Sequence, residues 1–290
     1  MSTFTLRWRN RELVLGNRTA IMGIVNVTPD SFSDGGRYLG VEAAVAQARR
    51  LVKDGADIID IGGESTRPYA ADVPLEKEIE RVLPVIRQLA VSIPVPISID
   101  TTKAVVADAA LEAGAAIIND IGALGNDSEM PAVAARHQVP VIIMHMQGTP
   151  RTMQDNPVYT DLIGEVRQFL KDAMARAIAA GVAGHRIIID PGIGFGKTAA
   201  HNMALIGNLS QLCDLGAPIL VGPSRKAFIR KFLSAEAGTD LSADRPEVET
   251  GTQAAVAAAV MQGAHIVRVH NVANTRAMVR MLDAIRHAAA

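Results

Sequence analysis

Apolar residues in this chain come in short blocks at helix-sized intervals, and each block ends on a polar or charged residue. Residues 21–25 run into Asn26, 58–61 into Gly62-Gly63-Glu64, and 97–99 into Asp100. Residues 115–118 lead to Asn119, 141–144 to His145 and 187–189 to Asp190. The last two blocks are 219–221, ending at Gly222 with Arg225 and Lys226 just beyond, and 266–269, which carries Arg268 and ends at His270. Isoleucine and valine dominate with little alternation, as expected of strands buried on both faces in a parallel sheet. Strand ends that all deliver chemistry to one rim predict an α/β fold of the (β/α)8 barrel type.

Between the blocks the apolar period becomes helical. Val41, Val45, Ala48, Leu51 and Val52 share one face of a helix predicted to stop at Asp54-Gly55. Ile79, Val82, Leu83, Ile86 and Leu89 share another, with Pro84 as an expected kink. Leu162, Val166, Phe169, Leu170, Ala173 and Ala177 mark what reads as the longest helix, closed by Gly181. Upstream, residues 4–8 and 12–15 flank Asn10-Arg11 and predict a small hairpin within 1–20, covering the bottom of the barrel. Uninterrupted strand–helix alternation predicts one domain over 1–290, without a linker. Loops 27–39 and 64–73 are longer than folding requires, as expected of lids on the active rim. Residues 235–249 are expected to be irregular.

Composition then excludes several functions. Among 290 residues, 29 basic and 30 acidic side chains leave a formal net charge of −1, so neither nucleic acid nor an anionic membrane is an expected partner. Positive charge for an anionic substrate must be gathered locally. Aromatics are only 3%, which leaves little surface for stacking single-stranded nucleic acid. Cys213, the only cysteine, cannot form an internal disulfide and is expected to be a small apolar filler in a helix. No run approaches the ~20 apolar residues of a membrane span, and no basic-then-apolar pattern opens the chain; a cytoplasmic protein is expected.

The strand-end residues carry the candidate chemistry. Asp100 and Asp190 point a carboxylate each at the barrel mouth, which is costly unless paired or solvated. A flat heterocycle with a guanidine-like edge would satisfy one of them in bidentate fashion, and Asn119 would fix its orientation. The competing reading is that Asp100 caps the next helix, because Asp100-Thr101-Thr102 resembles a helix start. Arg225, Lys226, Arg268 and His270 lie after the last two strands, where such barrels bind phosphate, and read as a site for an anionic leaving group. Asn26 offers a neutral oxygen suited to Mg2+ shared with substrate phosphates. His145 and His185 are isolated, which disfavours a zinc hydrolase, and His145 reads as a hydrogen-bonded barrel-interior residue. Residues 191–198 imitate a phosphate loop, but Pro191 stands where glycine is required. That stretch reads instead as a glycine-rich turn, with Phe195 as a contact for a planar ligand.

At these residues the chain resembles the dihydropteroate synthases. Asn26-Val-Thr-Pro-Asp-Ser-Phe-Ser-Asp-Gly-Gly36 is similar to the family's first-loop signature, and Asp60-Ile-Gly-Gly-Glu-Ser-Thr-Arg-Pro68 to its second. Asn119-Asp120, Met144-His-Met146, Asp190-Pro-Gly-Ile-Gly-Phe-Gly196, Ser224-Arg-Lys226 and Arg268-Val-His270 follow in the expected order. The resemblance implies condensation of 6-hydroxymethyl-7,8-dihydropterin pyrophosphate with 4-aminobenzoate, with Mg2+ as cofactor. It places Asp100, Asn119, Asp190, Lys226, Arg268, Met144, Phe195 and Gly222 around the pterin. Asn26, Thr66, Arg268 and His270 would serve the diphosphate, with Asn26 also on the metal. Phe32, Thr66, Pro68, Phe195, Ser224 and Lys226 would shape the aminobenzoate pocket. Asp34 and Arg67 would join Asp100, Lys226, Arg268 and His270 in the reaction.

Family members are usually homodimers and targets of sulfonamides. This chain departs from the pattern at Asn271, where Asp is common, and in Arg245-Pro-Glu-Val-Glu-Thr-Gly251. A corrinoid-linked methyltransferase on the same barrel fits Ser224-Arg-Lys226 poorly. A non-catalytic pterin-binding paralogue would be expected to have lost loop residues such as Asp30, Ser31 and Arg67, which are present.

Overall fold

The structure, a computed structural model, describes residues 2–8, 11–28, 36–65, 72–238 and 241–288, the side chains of 36–39 and 235–237 excepted. Strands β1 (Phe4–Trp8) and β2 (Arg11–Leu15) pair antiparallel as the predicted hairpin. Eight parallel strands follow: β3 (Ala20–Asn26), β4 (Ile58–Gly62), β5 (Ile97–Asp100), β6 (Ile117–Asp120), β7 (Val141–Met144), β8 (Ile187–Asp190), β9 (Leu220–Val221) and β10 (Ile266–Val269). Their hydrogen-bonded order is β8-β7-β6-β5-β4-β3-β10-β9. The barrel is nearly closed: β8 and β9 meet only at the bridge between Ile189 and Ile219, where the Ile189 N–H donates to the Pro218 carbonyl at 3.0 Å.

Helices α1 (Gly36–Asp54), α2 (Leu75–Ala90), α3 (Ala104–Ala113), α4 (Met130–His137), α5 (Leu162–Ala179) and α6 (Ala199–Gly207) each follow one strand. Two helices, α7 (Ala227–Ala237) and α8 (Pro246–Met261), follow β9, and α9 (Val272–Ala288) follows β10. The outward strand residues and the helices share one large apolar core, including Val25, Ile61, Ile99, Ile143 and Ile189. A separate cluster lies inside the barrel. Inward residues near the strand starts, among them Met22, Ile58, Ile117, Ile142, Ile188 and Ile266, pack on Leu6, Trp8 and Leu15 of the hairpin. The hairpin therefore plugs the N-terminal end, and only the opposite mouth can receive a ligand.

Three sequence expectations need correction. α1 has 19 residues and α5 has 18, because α1 begins at Gly36, in a Gly35-Gly36 pair that reads as loop. Pro84 lies inside α2, on the helix the periodicity predicts; the buried face of Val82, Leu83, Val85, Ile86 and Leu89 outweighs one missing backbone bond. The irregular stretch is shorter than 235–249 at both ends, since α7 reaches Ala237 and α8 starts at Pro246, a favoured first helical position for proline. Cys213 is exposed and sits in the 3-10 turn Leu209–Leu215 rather than filling an α-helix. Among the described residues no helix is long and apolar enough to cross a membrane.

Candidate active site

Alternation turns every second strand residue into the barrel. On β4 that series is Ile58, Asp60 and Gly62. Asp60 is 0% exposed, and its Oδ2 accepts from Arg268 Nε at 2.6 Å and from Asn119 Nδ2 at 3.2 Å. Its Oδ1 has no hydrogen-bond partner. Arg268 Nη2 donates to Asp100 Oδ2 at 2.7 Å, so one guanidinium from β10 spans carboxylates from β4 and β5. Treating 58–61 as an apolar run passes over Asp60. The available signal was a carboxylate inside an isoleucine block.

Asp100 is not a helix cap. The Ala104 N–H at the start of α3 donates to Asp127 Oδ2 at 2.8 Å, and the Lys103 N–H donates to Thr101 Oγ1 at 3.2 Å. Burial pushes the Asp100 carboxyl up to about 7 despite the pull of Arg268. Burial likewise opposes charge on Arg268, but Asp60 and Asp100 overcome it and hold its pKa above the ordinary range. A cleft of about 310 Å³ opens beside Asp100, walled in part by Glu64, Thr101, Ile121, Asn126 and Arg151.

The turn after β8 brings the next groups in. Asp190 Oδ1 accepts the Gly192 N–H at 2.7 Å, and burial raises this carboxyl to about 6 against that bond and the nearby Lys226 and Lys197. Two glycines let the turn coil this closely. A Cβ on Gly192 (φ +71°) would lie 1.8 Å from the His145 carbonyl oxygen, and one on Gly194 (φ +83°) would lie 2.8 Å from Lys226 Cδ. Lys226 Nζ sits 3.8 Å from the centre of the Phe195 ring, a contact worth roughly 0.5–2 kcal/mol. Burial and the neighbouring Arg268 push the Lys226 ammonium down to about 8. Phe195, Met144, Ile121 and Met153 form an apolar wall, with Met146 packed against it. Gly222 lies beside Arg268, where a Cβ would be 3.5 Å from the arginine's own.

Lys197, which ends the false phosphate-loop match, points inward and is 2% exposed. Its Nζ donates to the carbonyls of Gly192 and Phe195, both at 3.0 Å, and to His145 Nδ1 at 2.9 Å. All three ammonium protons are thereby used, and His145 carries its own proton on Nε2. Burial lowers Lys197 to about 7, and burial with Lys197 lowers His145 to about 3. His145 is thus the interior hydrogen-bonded residue expected, and Lys197 is the clamp that sequence reasoning missed.

Next to this turn around the barrel, after β9 and β10, Ser224 Oγ and His270 Nδ1 are 2.9 Å apart, and the His270 backbone N–H donates to the same oxygen at 3.3 Å. In the tautomer in which the hydroxyl donates to Nδ1, His270 Nε2 is an N–H donor. Asn271 Oδ1 accepts the Asn274 N–H at 3.1 Å and caps α9, so its departure from the family pattern leaves the His270–Ser224 pair intact. Arg225 turns away from Lys226: its N–H donates to Thr252 Oγ1 at 3.1 Å, and its Nε lies 3.8 Å from Glu249 Oε2. A cleft of about 340 Å³ lies between Arg50, Asp54, Arg225 and His270. Asn26 ends β3, in register with Gly62 of β4.

The stem of the second loop is anchored by charge. Glu64 accepts the Val73 N–H at 2.7 Å and Lys103 Nζ at 2.5 Å, and Lys103 also reaches the buried Glu78 at 2.6 Å. Phe32, Asp34, Thr66, Arg67 and Pro68 lie outside the described residues.

A family model for pterin binding enzymes matches residues 22–270. A dihydropteroate synthase of Synechocystis sp. is 48% identical over 270 residues, which is 93% of this chain and 91% of that protein. The Yersinia pestis dihydropteroate synthase solved in a sulfonamide drug complex is 41% identical, with a TM-score of 0.89 over 98% of this chain and 100% of that one. The Xanthomonas albilineans dihydropteroate synthase solved with 4-aminobenzoic acid is 44% identical, with a TM-score of 0.89 over 98% and 99% of the two chains.

Proposed function

The chain belongs to the pterin-binding enzymes as a dihydropteroate synthase, and from that membership we propose how its barrel mouth joins dihydropterin pyrophosphate to 4-aminobenzoate. The guanidine-like edge of the pterin is taken by Asp190, with Asn119 beside it and Met144 and Gly222 giving the ring room. Arg268 releases Asp100 and lies along the ring. Asp100 then stands where positive charge grows as the bond from the exocyclic methylene to the diphosphate oxygen breaks. Lys226, held over Phe195, flanks the same space.

The departing diphosphate is met by Arg268 and by the Nε2–H of His270, which Ser224 keeps in the donor tautomer. The amine of 4-aminobenzoate attacks the methylene carbon from the pocket of Phe195, Ser224 and Lys226, completed by Phe32, Thr66 and Pro68. It is already a nucleophile, so the protein supplies position and charge rather than a nucleophile of its own. Asp34 and Arg67 are assigned a part in the reaction from the family resemblance, and the site has to exclude water, which would otherwise compete.

Asn26 supplies one neutral oxygen, and among the described residues no cluster of acidic and imidazole groups forms a metal site. That donor set fits Mg2+ held mainly by water and substrate phosphate oxygens. When bound, the ion supplies positive charge to the leaving group.

The meeting of Asp60, Asp100, Asn119 and Arg268 within hydrogen-bonding distance at one end of the barrel supports this reading. The test is joint measurement of dihydropteroate and pyrophosphate, with and without Mg2+. Equal release only with the metal is the expected result. Asp100→Ala should lose turnover by about a thousandfold, and retained turnover in that variant, or turnover without magnesium, would overturn the mechanism.

A further inference from the structure

Asp60 takes part in no step above, yet it is the fully buried charge of the mouth. We propose that Asp60 is a positioning residue whose single Oδ2 sets the orientation of both Arg268 and Asn119 for the pterin. This rests on the reading of those two residues as pterin contacts.

Arg268 divides its donors, Nε to Asp60 and Nη2 to Asp100. Substrate competes for Asp100, so Nη2 has to let go. Nothing competes for Asp60: it pairs in register with Ser98, one inward position below the Gly62–Asp100 pair, and has no exposed surface. The guanidinium pivots about Nε instead of leaving the mouth. The same Oδ2 takes the NH2 of Asn119, which fixes the amide so that its carbonyl oxygen is the group left for a ring N–H.

A role in folding alone explains Asp60 poorly. Its Oδ1 is buried without a partner, a cost that an apolar residue of similar size would avoid. A role through bulk charge has the opposite sign. Neutralising Asp60 makes the mouth more positive by one unit, which favours a diphosphate substrate, whereas loss of positioning weakens the pterin.

The experiment is steady-state kinetics and thermal unfolding of Asp60→Asn, alone and combined with Arg268→Lys, beside Asp100→Asn. Asp60→Asn should raise the KM for dihydropterin pyrophosphate about tenfold, the loss of one charge-assisted hydrogen bond. The KM for 4-aminobenzoate should stay within about twofold, and the thermal midpoint should not fall. With lysine at 268 the forked donor is gone, and the same substitution should add less than about threefold. An unchanged or lowered pterin KM, or full additivity with Arg268→Lys, overturns the inference. If Asp60→Asn does not fold, Asp60→Glu keeps the charge and moves it by one methylene; a wild-type pterin KM in that variant also overturns it. Asp100→Asn separates the two readings: if it leaves pterin KM and turnover unchanged, the description of the mouth fails, not Asp60 alone.

Discussion

Replacing Asp190 with asparagine should make the protein more stable and less active, by an amount that grows with pH. Asp190 is 7% exposed, and burial raises its carboxyl from 3.8 to about 6. Asparagine keeps the oxygen that accepts the Gly192 N–H and drops the charge. Between 3.8 and about 6 the folded chain holds a proton that the unfolded chain releases. Stability therefore falls as pH rises through that window and is level above it. At ~1.4 kcal/mol per unit, the charged carboxylate costs roughly 3 kcal/mol near pH 8 and about half that near pH 5. For a chain of this size that corresponds to a midpoint roughly 6 °C higher for the variant near pH 8 and about 3 °C higher near pH 5. Thermal unfolding by circular dichroism across that range is the assay. The same variant should lose at least ~100-fold in kcat/KM, because an amide N–H opposes the donor edge of the pterin. A midpoint at or below wild type near pH 8, or an advantage that does not shrink towards pH 5, refutes the reasoning.

Two further outcomes can be checked on the same protein. Ser224→Ala removes the partner that holds His270 Nδ1 at 2.9 Å, and turnover should fall about tenfold with little change in thermal midpoint. Wild-type turnover would show that His270 needs no such partner. Trp8→Ala empties part of the plug under the barrel and should cost about 3–5 kcal/mol, while kcat well below the midpoint stays within about twofold of wild type. A large loss of kcat in the folded variant would mean that the hairpin is not insulated from the mouth.

The barrel was legible in the sequence because its active rim interrupts apolar blocks with polar residues, and Asp100, Asn119, Asp190, Arg268 and His270 each stand at such an end. Asp60 was not legible in that way. Its partner Arg268 is 208 residues further along, and only closure of the barrel brings the two together. The role of Lys197 was not legible either, because its acceptors, Gly192, Phe195 and His145, surround it only once the turn has coiled. The effect of Asn271 was hidden too, since adjacency in sequence to His270 does not reveal that the two side chains diverge, one to Asn274 and the other to Ser224.

The two-residue strand β9 leaves the barrel wall with one thinly braced joint, where β8 and β9 meet at a single bridge. Phe195 follows β8 and Lys226 follows β9, so their contact at 3.8 Å works as a clasp across that joint. The proposed aminobenzoate pocket and the most sparsely bridged joint among the described strands are therefore one place. A ligand seated there braces the wall, and exchange of the Ile189 amide, which bridges the joint to the Pro218 carbonyl, becomes a gauge of occupancy read from the scaffold itself rather than from the loops.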